Sequence, residues 1–301
     1  MSAAPITRIG VTGGDGFLGR HVIAALRTAG VDVVTFSRRA AATDGVIACD
    51  LLDSGSRKAA LRQAQCSHLV HLAWRSDPRA RLSSPDNIDW ACASALLARE
   101  FAEAGGKRFI FGGSSAQYRW GGGRLDEFCD LDAATLYGAA KSAAEALLVA
   151  AAPTLGISVA SARIFFCYGP GEPSGRLVPD VIAALRAGAP APCTDGLQKR
   201  DYLYAGDVGA ALALIARSDV EGPINVCSGR AIEVRSLIAE IARQMGRPDL
   251  PHYGAVARPK DDPPIVEGDP ARLAALGFTP RYNLAEGVAL TLDHFQRSSS
   301  R

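Results

Sequence analysis

An α/β fold with a doubly wound parallel sheet is predicted by three features of this 301-residue sequence. Short β-branched runs alternate with alanine- and leucine-rich helical segments through the first half of the chain, which is the pattern of a parallel sheet covered on both faces. A glycine-rich turn directly follows the first β-branched run. After Phe166, glycine, proline and charged residues cluster in two loops, and this change predicts a smaller mixed lobe at the C-terminal ends of the strands.

Hydrophobic periodicity and turn residues give the expected boundaries of each element. The predicted strands are Arg8–Thr12, Val31–Phe36, Val46–Cys49, His68–Ala73, Arg108–Gly112 and Ile157–Phe165. The predicted helices between these strands are Phe17–Ala29, Ser54–Ala64, Asp86–Ala104 and Thr135–Ala152. Further helices are predicted at Leu177–Ala187, Asp207–Arg217, Val234–Met245 and Leu284–Phe295.

Composition and charge exclude several classes of protein. Lysine and arginine number 33 against 31 aspartate and glutamate residues, a net charge of +2, so no global field attracts nucleic acid or an anionic membrane. The seven cysteines include no pair at metal or redox spacing, which predicts reduced thiols, no metal site and a cytoplasmic protein. The first residues carry a strand and a glycine turn rather than a secretory signal. The uncharged stretch 146–162 contains Pro153 and Gly156, which disfavours a membrane-spanning helix.

The glycine-rich turn is a candidate dinucleotide-binding site. Residues 12–19 read TGGDGFLG and lie between the first predicted strand and the first predicted helix. Gly13, Gly16 and Gly19 permit a tight turn, close approach of the backbone to a pyrophosphate and close packing of helix on strand. Phe17 and Leu18 begin the helix whose free N–H groups would face the phosphates. A glycine-rich turn without a ligand is the alternative, and the strand–turn–helix context favours the binding site.

This turn defines the predicted domain organisation. We assign residues 1–165, with about 201–227, to a dinucleotide-binding Rossmann domain. Residues 166–200 and 228–297 form the predicted substrate-binding lobe. The serine-rich residues 298–301 are expected to be a disordered tail.

The end of the second predicted strand bears on which dinucleotide binds. An acidic residue there hydrogen-bonds the ribose 2′-hydroxyl of NAD, whereas arginine suits the 2′-phosphate of NADP. This chain has Ser37, Arg38 and Arg39, and the next carboxylate is Asp44. Planar guanidinium groups and a hydroxyl match a phosphate, so the sequence favours NADP(H) over NAD(H). The alternative is that both arginines are solvated surface charges.

Tyr137 and Lys141 form the candidate catalytic pair. They lie four residues apart at the start of a predicted helix, so both project from one face. An ammonium group beside a phenol stabilises tyrosinate and makes the tyrosine usable as an acid or base. Ser114 or Ser115, after the fifth predicted strand, could hold a substrate oxygen beside Tyr137, or could simply cap a helix or turn.

Taken together, these motifs resemble the extended short-chain dehydrogenases/reductases, in particular the nucleotide-sugar epimerase/dehydratase group. The resemblance covers about residues 6–295 and rests on the segments TGGDGFLG, CDLLD, HLAW, FGGSSAQY, YGAAK, ARIFFCYGPG, RDYLYAGDV and DPARLAALGFTPRYNLAEGV. It implies that Ser114 is the catalytic serine or threonine of the family and that Tyr137 is the catalytic acid/base. It also implies that Lys141 holds the nicotinamide ribose.

The resemblance implies further binding residues. Asp50 and Leu51 match residues that contact adenine, and Leu72 and Ala73 match residues that line the cofactor. Arg200 and Arg258 match arginines that bind the diphosphate of the nucleotide sugar, for which paired guanidinium–phosphate hydrogen bonds give a physical reason. Their alternative interpretation is as surface arginines in loops. The resemblance also implies a homodimer formed through a four-helix bundle, although both helices could be covered within one chain.

Departures from the family pattern narrow the expected activity. Dehydratases of this group carry an Asp–Glu pair after the catalytic serine or threonine, where this chain has Ser115 and Ala116, so dehydration is disfavoured. Decarboxylases carry glutamate at the second of these positions, so Ala116 also disfavours decarboxylation. Phe166 replaces an asparagine that contacts the sugar nucleotide in many members. Trp74 replaces a small residue, and it either narrows the sugar pocket or is a core aromatic residue.

These features favour an NADPH-dependent reductase acting on a nucleotide-linked 4-keto-6-deoxyhexose. Reduction and 4-epimerisation both move a hydride between nicotinamide and a sugar carbon while a tyrosine handles the proton. An epimerase of this family retains NAD, whereas a reductase exchanges NADP(H), so the arginines after the second strand favour reduction. An NAD-dependent 4-epimerase is the alternative, and a non-catalytic cofactor-sensing regulator is a minor one because such proteins typically lose the tyrosine or the lysine.

Overall fold

Strands and helices alternate along the first half of the chain, as the sequence predicts. The computed structural model describes residues 6, 8–38, 45–74, 77, 80–121 and 123–299. The strands in this part of the chain are β1 (Ile9–Thr12), β2 (Val33–Ser37), β3 (Val46–Ala48), β4 (His68–His71), β5 (Arg108–Ser114), β6 (Arg124–Leu125), β7 (Ser158–Ile164), β8 (Phe166–Tyr168), β9 (Ala191–Pro192), β10 (Lys199–Tyr204), β11 (Gly222–Val226), β12 (Ala231–Glu233), β13 (Pro251–His252) and β14 (Ile265–Gly268). The helices there are α1 (Phe17–Thr28), α2 (Ser54–Ala64), α3 (Asp86–Glu103), α4 (Leu136–Leu155), α5 (Leu177–Arg186), α6 (Ala205–Arg217), α7 (Val234–Gln244), α8 (Ala271–Ala275) and α9 (Leu284–Ser299).

A parallel sheet of seven strands forms the centre of the described chain, in the order β11-β7-β5-β4-β1-β2-β3. The order reverses direction at β1, which is the doubly wound arrangement, so the predicted fold class is confirmed. All six predicted strands occur in this sheet. The seventh, β11, was not predicted, because its sequence GPINV begins with turn-forming residues. The edge position explains why Pro223 is tolerated, since one side of an edge strand makes no ladder hydrogen bonds.

Helices cover both faces of this sheet. Successive strand side chains point to opposite faces, so Phe109 and Phe111 pack with α2, α3 and α4 on one side. Ile110, between them, packs with α1 and α6 on the other. The strands therefore have no solvated face, which explains their continuous apolar sequences.

A second, mixed sheet carries the C-terminal part of the chain. Within the described residues it contains β12, β10, β14 and β6, with β8 paired to β10. Asp201 of β10 is fully buried and joins this sheet to neighbouring turns. Its carboxylate accepts hydrogen bonds from the backbone N–H groups of Ser228, Gly229 and Gly268. This smaller sheet agrees with the mixed lobe predicted from the change in composition.

Two helices extend beyond their predicted ends. Helix α4 continues past Pro153 and ends before Gly156, which is in the left-handed region with φ of +65°. Because Pro153 has no N–H, the carbonyl of Val149, four residues earlier, receives no hydrogen bond from it. Val149 is on the exposed face, where water can bind this carbonyl. Helix α9 ends at Ser299, so residues 298 and 299, predicted to belong to a disordered tail, are helical, and residues 300 and 301 lie outside the described residues. An ion pair between Arg297 and Asp293 stabilises the last turns of this helix.

The cysteine side chains differ in exposure. All seven are free thiols; Cys92 is exposed, Cys129 is half-buried, and Cys49, Cys66, Cys167, Cys193 and Cys227 are buried. Burial raises the pKa values of Cys49 and Cys66 to about 11. Among the described residues, none of the helices combines the length and the apolar character that crossing a membrane requires.

Helix α2 is fixed to α3 by a buried ion pair. Arg57 and Glu100 are both 2% exposed, and the Nε of Arg57 lies 2.6 Å from a carboxylate oxygen of Glu100. Arg57 also donates to the carbonyl oxygen of Leu51, at 2.7 Å. This pair therefore positions the segment after β3 as well as the two helices.

Replacing Glu100 with alanine is expected to lower the free energy of unfolding by roughly 3–5 kcal/mol, because it leaves a buried guanidinium without its carboxylate. Urea unfolding monitored by circular dichroism measures this change. Glu103→Ala is the matched control, since Glu103 pairs with Arg99 on the exposed face of the same helix. The control is expected to cost at most about 0.5 kcal/mol, and equal costs for the two variants would contradict the structural role of the buried pair.

Candidate active site

A cavity of about 690 Å³ lies at the carboxyl ends of the central strands. Its walls come from the turn after β1, the residues after β4, the end of β5, the first turns of α4 and the segment from β7 to α5. The predicted site residues that line it are Gly13, Gly16, Phe17, Leu18, Gly19, Leu72, Ala73, Trp74, Ser114, Tyr137, Lys141 and Phe166. Those that do not line it are Ser37, Arg38, Asp50, Leu51, Ser115, Arg200 and Arg258. Arg39 lies outside the described residues.

The glycine turn is packed too closely against the backbone for side chains at Gly13 and Gly19. Gly13 has φ of +70°, and a Cβ atom there would lie 2.8 Å from the backbone nitrogen of Ala73. A Cβ atom on Gly19 would lie 2.1 Å from the carbonyl oxygen of Gly13. Helix α1 begins at Phe17 on the cavity wall, and its first N–H groups have no acceptor within the helix. This geometry fits the diphosphate of a dinucleotide, which requires both close backbone approach and free N–H donors.

A carboxylate that was not predicted from the sequence lies at the end of β2, where the cofactor ribose is expected. The hydroxyl of Ser37, at the end of β2, donates to the carboxylate of Asp15 at 2.5 Å. Asp15 belongs to the glycine turn, so the acidic residue comes from an earlier segment and not from the residues that follow β2. Arg38 is exposed in this structure. Both an acidic and a basic side chain therefore lie near the position where the 2′ group of the cofactor is expected.

The predicted adenine-contacting residues lie beyond the main cavity. Asp50 is exposed, and its carboxylate accepts a hydrogen bond from the backbone N–H of Leu52. Leu51 is buried, and its carbonyl oxygen is the acceptor for Arg57. The segment is thus held by the buried Arg57–Glu100 pair.

Tyr137 and Lys141 project from the first turns of α4 into the cavity. Lys141 is 3% exposed, and its Nζ donates to the carbonyl oxygen of Gly112 at 2.6 Å. The same Nζ lies 3.7 Å from the ring centroid of Trp74 and 5.9 Å from that of Tyr137. Burial lowers the pKa of Lys141 well below its usual value, and the positive charge of Arg81 lowers it further. Trp74 thus contacts the site directly, in addition to packing with Phe111.

A buried carboxylate fixes Ser114 relative to this helix. The backbone N–H of Ser114 donates to the side-chain oxygen of Gln117 at 2.7 Å. The side-chain nitrogen of Gln117 donates to Glu145 of α4 at 2.9 Å. Glu145 also accepts from the hydroxyl of Ser161 and pairs with the guanidinium of Arg163, both in β7. Because Glu145 lies one turn beyond Lys141, this network sets the separation of the candidate catalytic groups.

Ser114 and Ser115 have different positions. The hydroxyl of Ser114 lies at the cavity and accepts a hydrogen bond from the N–H of Ala116 at 3.2 Å. Ser115 is 5% exposed and does not line the cavity, so direct substrate contact by Ser115 is not supported. Its carbonyl oxygen accepts from the indole of Trp120. Of the two serines, Ser114 is thus the one that lies at the cavity, and its contact with a substrate stays a prediction.

The two arginines predicted to bind a diphosphate are engaged with carboxylates. Arg200 is 4% exposed, pairs with Asp262 and lies with its Cζ 5.5 Å from the ring centroid of Phe166. It lines a second cavity of about 370 Å³, which shares Phe166 and two other lining residues with the first. Arg258 lines neither cavity and lies 3.8 Å from Asp195.

Five charged residues of the main cavity were not predicted, namely Asp15, Arg20, Arg81, Glu172 and Arg176. Arg81 lies with its Cζ 5.1 Å from the ring centroid of Tyr137. Glu172 is buried and forms an ion pair with Arg176 at 2.9 Å. Burial raises the pKa of Glu172 to about 7. Glu172 and Arg176 lie among the charged residues of the loop after YGPG. From that loop only a change of composition was noted in the sequence.

The sequence model of the NAD dependent epimerase/dehydratase family matches residues 9–227. The chain therefore belongs to this family, which confirms the resemblance drawn from its motifs. The fold, the glycine turn and the helix carrying Tyr137 and Lys141 all fall within the matched part.

Similar proteins of known name act on nucleotide sugars. A UDP-glucose 4-epimerase from Azospirillum brasilense is 27% identical over 97% of this chain and 92% of its own. MoeE5, solved in complex with UDP-glucuronic acid and NAD, is 30% identical over 97% of this chain and 99% of its own, with a TM-score of 0.83. The UDP-glucose 4-epimerase of Thermus thermophilus, solved with NAD, is 25% identical over 96% and 99%, with a TM-score of 0.84.

Other curated relatives match over a shorter part. CDP-abequose synthase from Salmonella muenchen is 26% identical over 42% of this chain and 44% of its own. UDP-glucuronic acid decarboxylase 6 from Arabidopsis thaliana is 32% identical over 53% and 47%. The match therefore spans less than half the length of these relatives.

Gly19→Ala is expected to weaken binding of both NADPH and NADH by roughly tenfold or more, about 1.4 kcal/mol, because the added methyl group displaces the turn that fits the diphosphate. Fluorescence titration of the reduced cofactors measures the affinity. Gly55→Ala in α2 is the control, since its Cβ would meet only a flexible side chain, at 3.3 Å. Wild-type affinity in Gly19→Ala would exclude this turn as the cofactor site.

Proposed function

We propose that this protein catalyses NADPH-dependent reduction of a keto group on a nucleotide-linked sugar, with an NDP-4-keto-6-deoxyhexose as the expected substrate. The observation that carries the proposal is that Ser114, Tyr137 and Lys141 line the same cavity as the glycine turn. A family whose relatives act on nucleotide sugars supports the substrate class. The absence of an acidic pair after Ser114, where Ser115 and Ala116 stand, argues against dehydration.

The proposed mechanism assigns one role to each residue. A reduced nicotinamide cofactor held at the glycine turn would provide the hydride for the carbonyl carbon. Tyr137 donates its phenolic proton to the carbonyl oxygen, which becomes a hydroxyl group, and Ser114 holds that oxygen by a hydrogen bond. Lys141, fixed by the carbonyl of Gly112, stabilises the tyrosinate and binds the ribose. One proton and one hydride are consumed for each alcohol formed, so the reaction balances.

A second candidate, NAD-dependent 4-epimerisation, is favoured by Asp15. Its carboxylate lies against Ser37 at the ribose end, where an acidic group suits the free 2′-hydroxyl of NAD. Solved relatives of the epimerase class also contain NAD. The reductase depends instead on Arg38, with Arg39, binding a 2′-phosphate. The two candidates differ in cofactor turnover, since an epimerase returns the hydride to the sugar.

Purified protein assayed with nucleotide-linked 4-keto sugars is expected to oxidise NADPH faster than NADH, with one NADPH consumed per sugar. Tyr137→Phe is expected to lower turnover by about 100-fold or more, because it removes the proton donor. Tyr253→Phe is the control, since its hydroxyl contacts the backbone of Arg235 away from the cavity. Absorbance at the reduced-cofactor band measures both. If the purified protein instead retains NAD tightly and interconverts UDP-glucose and UDP-galactose, the reductase proposal is wrong and the epimerase is the function.

We also propose that the protein is a homodimer formed through α3 and α4. These helices pack on the same face of the sheet and leave apolar side chains exposed. Ile88 and Leu96 of α3 are 56% and 37% exposed, and Leu136 and Leu147 of α4 are 38% and 57% exposed. Exposed apolar side chains on two adjacent helices form a surface that is typical of a subunit interface.

Leu147→Asp is expected to halve the mass measured by sedimentation equilibrium, because it places a charge in the centre of this surface. Leu290→Asp, at a similarly exposed leucine of α9, is the control and should leave the mass unchanged. A wild-type protein that sediments as a monomer at micromolar concentration would contradict the proposed dimer.

A further inference from the structure

Among the described residues, four cationic side chains line the main cavity, and one of them lacks a partner there. Arg20 donates to backbone carbonyls of the glycine turn, Lys141 donates to a carbonyl of β5, and Arg176 pairs with Glu172. Arg81 has no side-chain hydrogen bond or ion pair to any described residue, and its Nε is buried without an acceptor. Arg81 as a whole is half-buried, but a buried donor such as its Nε is costly to keep without an acceptor. The cavity therefore contains a cationic donor whose acceptor is not supplied by the described chain.

Arg81 is held beside the candidate proton donor by its backbone. The buried side chain of Asn87 donates to the carbonyl oxygen of Arg81 at 2.8 Å and accepts from the indole of Trp74 at 2.8 Å. The backbone N–H of Tyr137 donates to the carbonyl oxygen of Leu82 at 3.1 Å. These contacts link the loop to both sides of the site, so the backbone that carries Arg81 is positioned before any ligand arrives.

The anionic groups of the described cavity wall are already engaged. Asp15 accepts from Ser37, and Glu172 is paired with Arg176. Lys141 adds a second basic group close to Arg81, although burial lowers its pKa. Near Tyr137 the described wall therefore has Arg81 as a cationic group that none of its carboxylates pairs with, which favours an anionic ligand group.

We propose that Arg81 binds an acidic oxygen group of the nucleotide-sugar substrate, an inference that rests on the proposed function. Arg200 and Arg258, the arginines predicted for this role, are paired with Asp262 and Asp195. Within the described chain, Arg81 is the unpaired guanidinium beside Tyr137, and its planar donor group matches a carboxylate or a phosphate. The expected 6-deoxyhexose carries no carboxylate, so its acidic group is the diphosphate; a sugar carboxylate, as in UDP-glucuronic acid, is the alternative source, and the two predict different selectivity.

The test compares binding of UDP-glucose and UDP-glucuronic acid, which differ only in the sugar carboxylate, by isothermal titration calorimetry with NADP⁺ present. dTDP-glucose and CDP-glucose are titrated in parallel because the base is not assigned. The variants are Arg81→Met, which removes the charge at similar length, and Arg81→Lys, which retains it. Arg62→Met, at an exposed position of α2, is the matched control. Thermal unfolding of each variant checks that the fold is retained.

If Arg81 binds a sugar carboxylate, Arg81→Met weakens binding of UDP-glucuronic acid by about tenfold or more and leaves UDP-glucose within about twofold. If it binds the diphosphate, all nucleotide sugars weaken by a similar factor, and Arg81→Lys restores part of the affinity. Affinities of Arg81→Met within about twofold of wild type for every ligand would overturn the assignment of Arg81 alone. Failure of the wild-type protein to bind any of the four ligands would overturn the proposed function, and the Arg81 inference with it.

Discussion

The buried carboxylate of Glu145 is the contact on which the geometry of the site depends. It receives hydrogen bonds from Gln117 and Ser161 and pairs with Arg163, so it joins α4, β7 and the turn after β5. A buried charge is stable only when its hydrogen-bonding capacity is filled, and this requirement leaves few alternative arrangements of the three segments. Ser114 is bonded through Gln117 to this carboxylate, whereas Tyr137 lies on the same helix two turns earlier.

The sequence could predict the central sheet and the glycine turn because both depend on local patterns. Apolar β-branched runs mark strands with two covered faces, and strand–glycine–helix order marks a phosphate site. Strand β11 was missed because Gly222 and Pro223 are typical of turns, and only the edge position makes them acceptable in a strand. The ends of α4 and α9 also lie beyond the predicted ends, since α4 continues past Pro153 to Gly156 and an ion pair between Arg297 and Asp293 stabilises the end of α9.

Site residues were predictable where a motif fixes their spacing, as for Tyr137 and Lys141. They were not predictable where the partner lies far away in sequence. Asp15 and Ser37 form a hydrogen bond although they are 22 residues apart in the sequence. Asp262 and Arg200 form an ion pair although they are 62 residues apart. Such pairs determine whether a charged side chain can still bind a ligand, and no local sequence pattern indicates which pairs form. Arg81 shows the reverse case, because its importance comes from having no partner within the described chain.

The distribution of the thiols has a practical consequence for spectroscopy. Cys92 is the exposed thiol, whereas Cys129 is half-buried and the other five cysteines are buried in the fold. A maleimide dye added to the unmodified protein should therefore react first on the outer face of α3. Cys92 lies one turn from both Ile88 and Leu96, within the proposed subunit contact, so the rate of this labelling would report the fraction of dissociated chains without any engineered cysteine.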